Sequence, residues 1–337
     1  MKHEKLPADV PESPQTRILL FDAEGEDREI KPGELDLARV SQNELAWIDI
    51  RVHDASQIAE ALCQFGIEGL PLASLMDHQN GAWFTQRDWF GARAIAPTWD
   101  ATHETFSGAA WLLAVGPNVV VTVHRRRIAF LEDVFANEDP DSRVGKISAD
   151  SFAAALLDRL LTTYFDAVDA FEERVDRLEV EILEPTLRYT HLPSLRRLRR
   201  AVSILRRQLS AHREVFDTFS RPDFQPDQDD KVEKQFRSVS LRYERAVDAV
   251  ENARDLVVGS YELLSTRLSQ RTNETMRLLT FVTVLLGSLA VIAGMLGMNF
   301  RAGIFDTGSE GFWTAAGLMA LLVLVALLIA RWRGWWK

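Results

Sequence analysis

The stretch LLTFVTVLLGSLAVIAGMLGMNF, residues 278–300, places 23 consecutive residues without a charged side chain near the end of the chain. A second uncharged stretch, GFWTAAGLMALLVLVALLIA, follows at 311–330 and contains 20 residues. About 20 apolar residues in a helix cross the hydrocarbon core of a bilayer, so both stretches are predicted to be membrane spans. A buried hairpin in a soluble domain is the disfavoured alternative, because uncharged runs of this length are unusual in soluble cores.

The charges around the two spans predict their orientation. The spans are joined by a short outer loop, residues 300–311, in which Arg301 is outnumbered by Asp306 and Glu310. Positive residues instead flank the other ends of the spans: Arg267, Arg271, Arg277, Arg331, Arg333 and Lys337. Positive charges favour the cytoplasmic side. Both termini are therefore expected in the cytoplasm, with the protein lying in a bacterial-type inner (plasma) membrane.

Composition and motifs exclude several classes of function. The net charge of −10, from 39 basic and 49 acidic residues, argues against a nucleic-acid partner and is compatible with attraction of cations. The single cysteine, Cys63, allows no intrachain disulfide and nearly excludes cysteine-based zinc ligation. No phosphate-binding loop, dinucleotide fingerprint or nucleophile elbow is present, so we predict neither an enzyme nor a bound cofactor.

The region before the spans divides into two parts. Residues 1–147 are predicted to form an α+β cytoplasmic domain, because β-branched and aromatic runs alternate with turn residues and one helical stretch. The predicted strand regions are 17–25, 44–52, 82–99 and 111–125, and the predicted helix is 56–67. Gly116-Pro117-Asn118 is predicted to be a hairpin turn.

Residues 148–275 are predicted to form a cytoplasmic helical stalk. The first helix should end at Pro185, and a second should run from about 193 to 220. A third should begin near Asp230 and continue without interruption into the membrane, because no proline follows before the first span. The predicted fold class is thus an α+β domain, a long-helix stalk and a two-helix transmembrane domain, residues 276–332.

Charge is segregated between the first two stalk helices. Residues 148–184 contain ten acidic and three basic residues, whereas 186–214 contain eight arginines and one glutamate. One interpretation is mutual neutralisation of two packed helices. The other is an acidic surface that collects or senses divalent cations, and the two can coexist.

One face of the first span has small or weakly polar side chains. At heptad spacing this face contains Asn273, Met276, Thr280, Thr283, Gly287, Ala290 and Gly294. Such a stripe is explained either by close helix packing or by the lining of an ion path, and spacing alone does not choose between them. Two helices cannot enclose a path, so the second explanation requires a ring of several copies.

The end of the span carries the tripeptide Gly297-Met298-Asn299. With its position after a long helix, and with the preceding segments 271–276 and 278–280, it resembles the CorA superfamily of divalent-cation transporters. The resemblance implies a funnel-shaped homopentamer in a lipid bilayer, with the first span lining a central pore. It also implies that Gly297, Met298 and Asn299 form the selectivity filter at the outer mouth.

The resemblance assigns roles to further residues. Met276 and Leu279 resemble an apolar constriction that gates by excluding water, and Thr280, Thr283, Gly287, Ala290 and Gly294 would line the path with Asn273. An Asn299 amide oxygen can accept hydrogen bonds from the water shell of Mg²⁺, which that ion sheds reluctantly. Asp306 and Glu310 of the outer loop are expected to attract cations.

The transported cation remains open. The loop FRAGIFDTGSEGFW, residues 300–313, lacks the Met-Pro-Glu typical of Mg²⁺-transporting members, and Gly303-Ile304 is more similar to the ZntB branch, associated with zinc. None of the seven histidines lies in a span; His53 and His212 are interpreted as surface or core residues. Mg²⁺, Zn²⁺, Co²⁺ or Ni²⁺, moved by a channel or by proton coupling, are all compatible. A membrane-anchored oligomeric scaffold or cation sensor without transport is the rival function.

Overall fold

The computed structural model describes residues 14–24, 26–41, 43–77, 82–136, 147–184, 191–224, 229–298 and 308–333. The chain forms two compact units, Met1–Ser260 and Tyr261–Lys337. The first contains the α/β region and most of the predicted stalk, and the second contains both uncharged stretches. The finer division at residues 147 and 275 stays a prediction.

The first unit is built on a seven-stranded mixed sheet. Its strands are β1 Gln15–Asp22, β2 Arg28–Ile30, β3 Glu44–Arg51, β4 Trp83–Gln86, β5 Trp89–Asp100, β6 Thr105–Gly116 and β7 Val119–His124. Their order across the sheet is β2-β1-β3-β7-β6-β5-β4. Only β3 and β7 are parallel neighbours, with Ile48 opposite Val121, and the other described pairs are antiparallel.

Most strand boundaries follow the predicted runs. The run 82–99 divides into β4 and β5 at a two-residue turn, in which Arg87 has a φ of 56°. The hairpin turn predicted at Pro117-Asn118 is confirmed, with Asn118 at a φ of 52°. Strand β6 begins at Thr105, before the predicted start at 111, because its first half pairs with β5. The prediction missed this half because Gly108 and the alanines that follow are poor strand formers.

Two short helices cover one face of the sheet. They are α1 Ser56–Cys63 and α2 Leu72–Met76. Because side chains alternate across a strand, Ile48, Ile50 and Val121 project towards this face. There they form one apolar core with Ile58 and Leu62 of α1 and with α2.

The opposite face is covered by α3 Ala129–Ala136 and α4 Ala149–Leu183. The buried Trp47 of β3 stacks on Phe135 with ring centroids 4.0 Å apart and meets the edge of Phe152 at 5.5 Å. Helix α4 begins after Ser148, whose hydroxyl oxygen accepts a hydrogen bond from the Ser151 N–H at 3.2 Å. The sheet therefore lies between two helical layers.

The helix predicted from about 193 to 220 is interrupted. It forms α5 His191–Ser210 and α6 Arg213–Phe219, separated at His212. His212 Nε2 accepts the Ile95 N–H at 2.8 Å, and the Tyr164 hydroxyl donates to the Ile95 carbonyl at 3.0 Å. These two side chains provide hydrogen-bond partners for the Ile95 backbone, at a point where β5 no longer pairs with β4. Burial, and then the charge of Arg93, lower the pKa of His212 to about 3, so it is a neutral core histidine.

Two of the described helices are long and apolar enough to cross a membrane. Helix α7 runs without a break from Asp230 to Leu296, 67 residues, as the sequence predicted. Helix α8 is Gly308–Trp332. Their most apolar windows have mean hydropathies of 2.3 and 2.5, and none of the residues in those windows is buried in the single chain. Of the predicted site residues, Asn299 and Asp306 lie outside the described residues.

Candidate cation path

All eight predicted path residues lie on α7 and are exposed in the single chain. They are Asn273, Met276, Leu279, Thr280, Thr283, Gly287, Ala290 and Gly294. The two predicted constriction side chains are more than half exposed, Met276 at 56% and Leu279 at 59%. An apolar side chain so exposed on a helix otherwise suited to a membrane has either lipid or another copy of the chain as its neighbour.

The opposite side of α7 is the more covered side. The half-buried residues of its apolar segment are Phe281, Leu285, Ser288, Leu289 and Ile292. At 100° per residue these positions lie roughly opposite the stripe. On helix α8, too, one side is less exposed than the other. It includes Ala315, Met319, Leu322, Ala326 and Ala330. The described part of the chain therefore leaves the stripe free to face another copy.

The threonines of the stripe present acceptor oxygens. The Thr280 hydroxyl donates to the Met276 carbonyl and the Thr283 hydroxyl to the Leu279 carbonyl, each at 2.8 Å. The hydroxyl protons are thereby used within the helix, whereas the lone pairs of each Oγ1 remain available. These oxygens are suited to accept hydrogen bonds from the water shell of a cation.

The glycines of the stripe are not required by packing within one chain. A Cβ atom placed on Gly287 or Gly294 would meet no atom within 4 Å. Packing within the described chain therefore does not require glycine at these two positions, since a larger side chain would fit at either one. A close approach of several helices, or an open path between them, would use that space.

The first two residues of the tripeptide directly follow the C-terminal end of α7. The Gly297 N–H donates to the Ala293 carbonyl at 3.0 Å, and the Met298 N–H donates to the Met295 carbonyl at 3.3 Å. The last carbonyls of a helix have no N–H partners within it and carry about half a negative charge together. This end is consequently attractive to a cation. The predicted loop residue Glu310 lies in the first turn of α8 and is exposed.

A buried polar network in the sheet was missed by the sequence analysis. The Trp47 indole N–H donates to Thr122 Oγ1 at 3.0 Å, and the Thr122 hydroxyl donates to the Asp49 carboxylate. The other Asp49 oxygen lies 3.1 Å from His124 Nε2, and His124 Nδ1 lies 2.7 Å from the Arg126 carbonyl. An aspartate within the apolar run ELAWIDIRV, residues 44–52, was the available signal.

Both ring nitrogens of His124 thus face acceptors, as a protonated imidazole requires. Burial alone would lower the pKa of His124, but the hydrogen bond to Asp49 and its charge outweigh burial and raise the pKa. The network is buried, since His124 is 2% exposed and Asp49 is 7% exposed. It therefore has a structural role within the first unit. No group of three or more His, Cys, Asp or Glu residues suited to hold a metal ion occurs among the described residues.

Comparison with known proteins places these features in a family. The model of the family described as CorA-like Mg²⁺ transporter protein matches residues 42–331. The cobalt/magnesium transport protein CorA of Thermotoga maritima is 28% identical over 196 residues, which is 57% of this chain and 54% of that protein. The chain thus spans about half the length of that relative. The putative metal ion transporter YfjQ of Bacillus subtilis is 24% identical over 90% of this chain and 94% of that protein.

The fold is also that of a solved transporter. The complete structure of the CorA magnesium transporter from Methanocaldococcus jannaschii matches with a TM-score of 0.72 over 95% of this chain and 98% of that chain, at 19% identity. At that identity the likeness shows the fold: a mixed α/β domain, a long helix and two C-terminal apolar helices. Because the family model covers most of the chain, the protein belongs to the family of CorA-like Mg²⁺ transporter proteins, whose members are transporters and not enzymes, in agreement with the sequence prediction.

Proposed function

We propose that this protein conducts hydrated divalent cations through a central pore lined by the small-residue stripe of α7. The observation that carries the proposal is the exposure of the whole stripe in the single chain, on the side of α7 opposite the half-buried residues. Two helices cannot enclose a path, so several copies must each contribute one stripe. The resemblance described above favours a homopentamer, with α8 facing lipid.

The chemistry of the stripe suits a cation that keeps its water. Threonine oxygens can accept hydrogen bonds from coordinated water, and glycine positions leave room for it. A ring of Asn299 amide oxygens would act in the same way at the outer mouth. Because these groups are neutral, they bind a dication weakly enough to release it, as conduction requires. Met276 and Leu279 form the proposed apolar constriction that closes the path by excluding water.

The proposed orientation in the membrane places acidic groups at the outer mouth of the path. The proposed location is the inner (plasma) membrane, with both termini in the cytoplasm and the loop of Asp306 and Glu310 outside. Basic flanks on the cytoplasmic side follow the positive-inside rule. Acidic loop residues and the C-terminal ends of several α7 helices would concentrate cations at the outer mouth.

Substitution of Asn299 tests the proposed filter. In proteoliposomes, Asn299→Ala should abolish divalent-cation uptake, because the ring of acceptors for the water shell is removed. The oligomer, measured by native mass spectrometry, should remain intact, since the substitution removes only one amide group from each copy. Ser309→Ala is the matched control, because it removes a polar side chain beside the same loop without touching the tripeptide. Wild-type uptake by Asn299→Ala would reject the filter.

Flux measurements on the wild-type protein in proteoliposomes distinguish transport from the rival function and identify the transported ion. An oligomeric scaffold or cation sensor would leave proteoliposomes impermeable to every divalent cation. A transporter would admit at least one of Mg²⁺, Zn²⁺, Co²⁺ and Ni²⁺, and competition among the four would rank them. A pH gradient should have little effect on the flux, because no ionisable side chain lies within the uncharged stretches 278–300 and 311–330 to relay protons.

A further inference from the structure

The segregated charges of α4 and α5 form two exposed stripes. Both helices belong to the first unit, and they contact each other. The basic stripe of α5 consists of the exposed Arg196, Arg199, Arg200 and Arg207. The acidic stripe of α4 consists of Asp166, Asp169, Glu172 and Asp176, of which Glu172 is half-buried and the others are exposed. At 100° per residue, each set lies on one side of its helix.

The two stripes do not neutralise each other within the chain. Among the described residues, no carboxylate lies within 4 Å of the four arginines, and no basic nitrogen lies within 4 Å of the four acids. The arginines of α5 that do pair find partners elsewhere: Arg197 meets Glu104 at 2.7 Å and Arg206 meets Glu251 at 2.5 Å. The sequence suggested that the charges of α4 and α5 could neutralise each other. Within one chain, the structure shows no such pairing for these eight residues.

The carboxylates of the acidic stripe repel one another and have no basic partner among the described residues. The pKa of Glu172 is raised, first by partial burial and then by the charges of Asp169 and Asp176. Among the residues that the structure describes, no positive group lowers the pKa of Glu172 in compensation. Carboxylates at this spacing on a helix repel one another, and an opposing row of positive charge would relieve the repulsion.

The stripes match in length and in their surroundings. From Asp166 to Asp176, and from Arg196 to Arg207, each stripe is about 15 Å long at ~1.5 Å per residue. Each is continued along its helix by exposed aliphatic side chains. Val180 and Leu183 follow the acidic stripe at 63% and 46% exposure, and Leu192 precedes the basic stripe at 41%. Exposed apolar groups beside charged ones are typical of contact surfaces between proteins.

We propose that the basic stripe of α5 binds the acidic stripe of α4 on a neighbouring copy of this chain. An interface that joins two different surfaces is heterologous, and repetition of such a contact gives a ring where the rotation between neighbours closes and an open filament where it does not. Complementary charge also favours this contact over one between like surfaces. The inference rests on the proposed oligomeric transporter and adds to it a specific contact that fixes the order of the subunits.

Charge reversal tests the contact. Arg199→Glu with Arg200→Glu places acid against acid, and should reduce the fraction of intact oligomer in detergent about tenfold at 0.1 M salt, where charges are little screened. Asp169→Arg with Asp176→Arg should have the same effect. The variant with all four changes restores opposite charges at every interface, and should regain the wild-type oligomer. Arg28→Glu with Arg39→Glu is the control, because it makes the same change of charge at the far edge of the sheet.

Cross-linking locates the contact directly. Two differently tagged chains, each with Cys63→Ser, carry Asp169→Cys in one and Arg200→Cys in the other. A disulfide between the two tags must join separate subunits, and we expect it to form upon mild oxidation. Cysteines at Asp133 and Arg28 in the same pair of chains serve as the control, since neither belongs to a stripe.

The outcomes separate this inference from the proposed function. A wild-type monomer that transports nothing would refute the transporter itself. An oligomeric, transporting wild type whose charge reversals change nothing, and whose tagged chains do not cross-link, would refute only the contact. Loss of the oligomer on reversal of the acids but not of the arginines would also refute the contact, because the acids would then act alone with a bound cation.

Discussion

Asp49 and His124 are both buried and pair across the neighbouring strands β3 and β7. The carboxylate accepts from Thr122 and lies 3.1 Å from the imidazole, so the pair is held in one geometry. Because the pKa of His124 is raised in the folded protein, the pair stabilises the fold fully below the unfolded-state pKa of about 6.5. That stabilisation is lost as the pH rises through the folded-state pKa.

We therefore predict that Asp49→Asn removes a pH dependence of stability. At pH 6 the variant should lose about 3–5 kcal/mol of unfolding free energy, because the buried imidazolium loses its counter-charge. The difference from wild type should shrink towards alkaline pH. Chemical unfolding of the full chain in detergent, followed by tryptophan fluorescence at pH 6 and pH 8.5, measures both effects. Asp133→Asn, an exposed change of the same kind, should alter neither, and an equal loss at both pH values would contradict the assignment.

The small residues of the stripe on α7 predict that a larger side chain there would obstruct the path. Gly294→Leu adds a large side chain on the stripe, and the open space around Gly294 in one chain means that the helix itself tolerates the change. We expect divalent-cation flux in proteoliposomes to fall by at least about tenfold, because several copies would place their leucines in the same part of the path.

Ala293→Leu is the matched control for this prediction. It adds a similar side chain one residue earlier, about 100° around the helix and away from the stripe. Flux through this variant should remain near wild type, and native mass spectrometry should give the same oligomer for both variants. Equal loss of flux in both would indicate that the stripe is a packing surface instead of a path lining.

The elements also show what sequence reasoning can reach in this chain. Helix α7 and helix α8 were predictable because length without charge is a direct requirement of a bilayer. The strands with β-branched runs were predictable as well. By contrast, β2 has three residues and α2 has five, and elements this short have no periodicity to detect.

Tertiary contacts explain the remaining differences. The helix predicted at 193–220 breaks at His212 because that side chain is needed at the unpaired edge of β5, which lies far away in sequence. Tertiary contacts also explain why Arg199 and Arg200 form no ion pair with the acids of α4. Charge composition indicates that two helices can attract each other, but only the packing of both against the sheet decides which faces meet.

For the whole molecule, the distribution of charge predicts how the protein lies in the membrane. In the sequence, basic residues precede the first uncharged stretch and follow the second, whereas Asp306 and Glu310 lie between the two stretches. The positive-inside rule then puts the first unit in the cytoplasm, together with most of the acidic residues that give the net charge of −10. The same arrangement would leave the first turn of α8 facing outwards.

The single cysteine makes this orientation directly testable. Cys63 is exposed in the first unit, so a membrane-impermeant maleimide should leave the wild-type protein unlabelled in intact cells and label it after permeabilisation. Ser309→Cys with Cys63→Ser moves the only thiol to the start of α8, and this variant should be labelled in intact cells. Ser269→Cys with Cys63→Ser, on the cytoplasmic side of the span, is the control and should behave like the wild type. Labelling of Cys63 in intact cells would reverse the orientation, and with it the assignment of Asn299 to the outer mouth of the path.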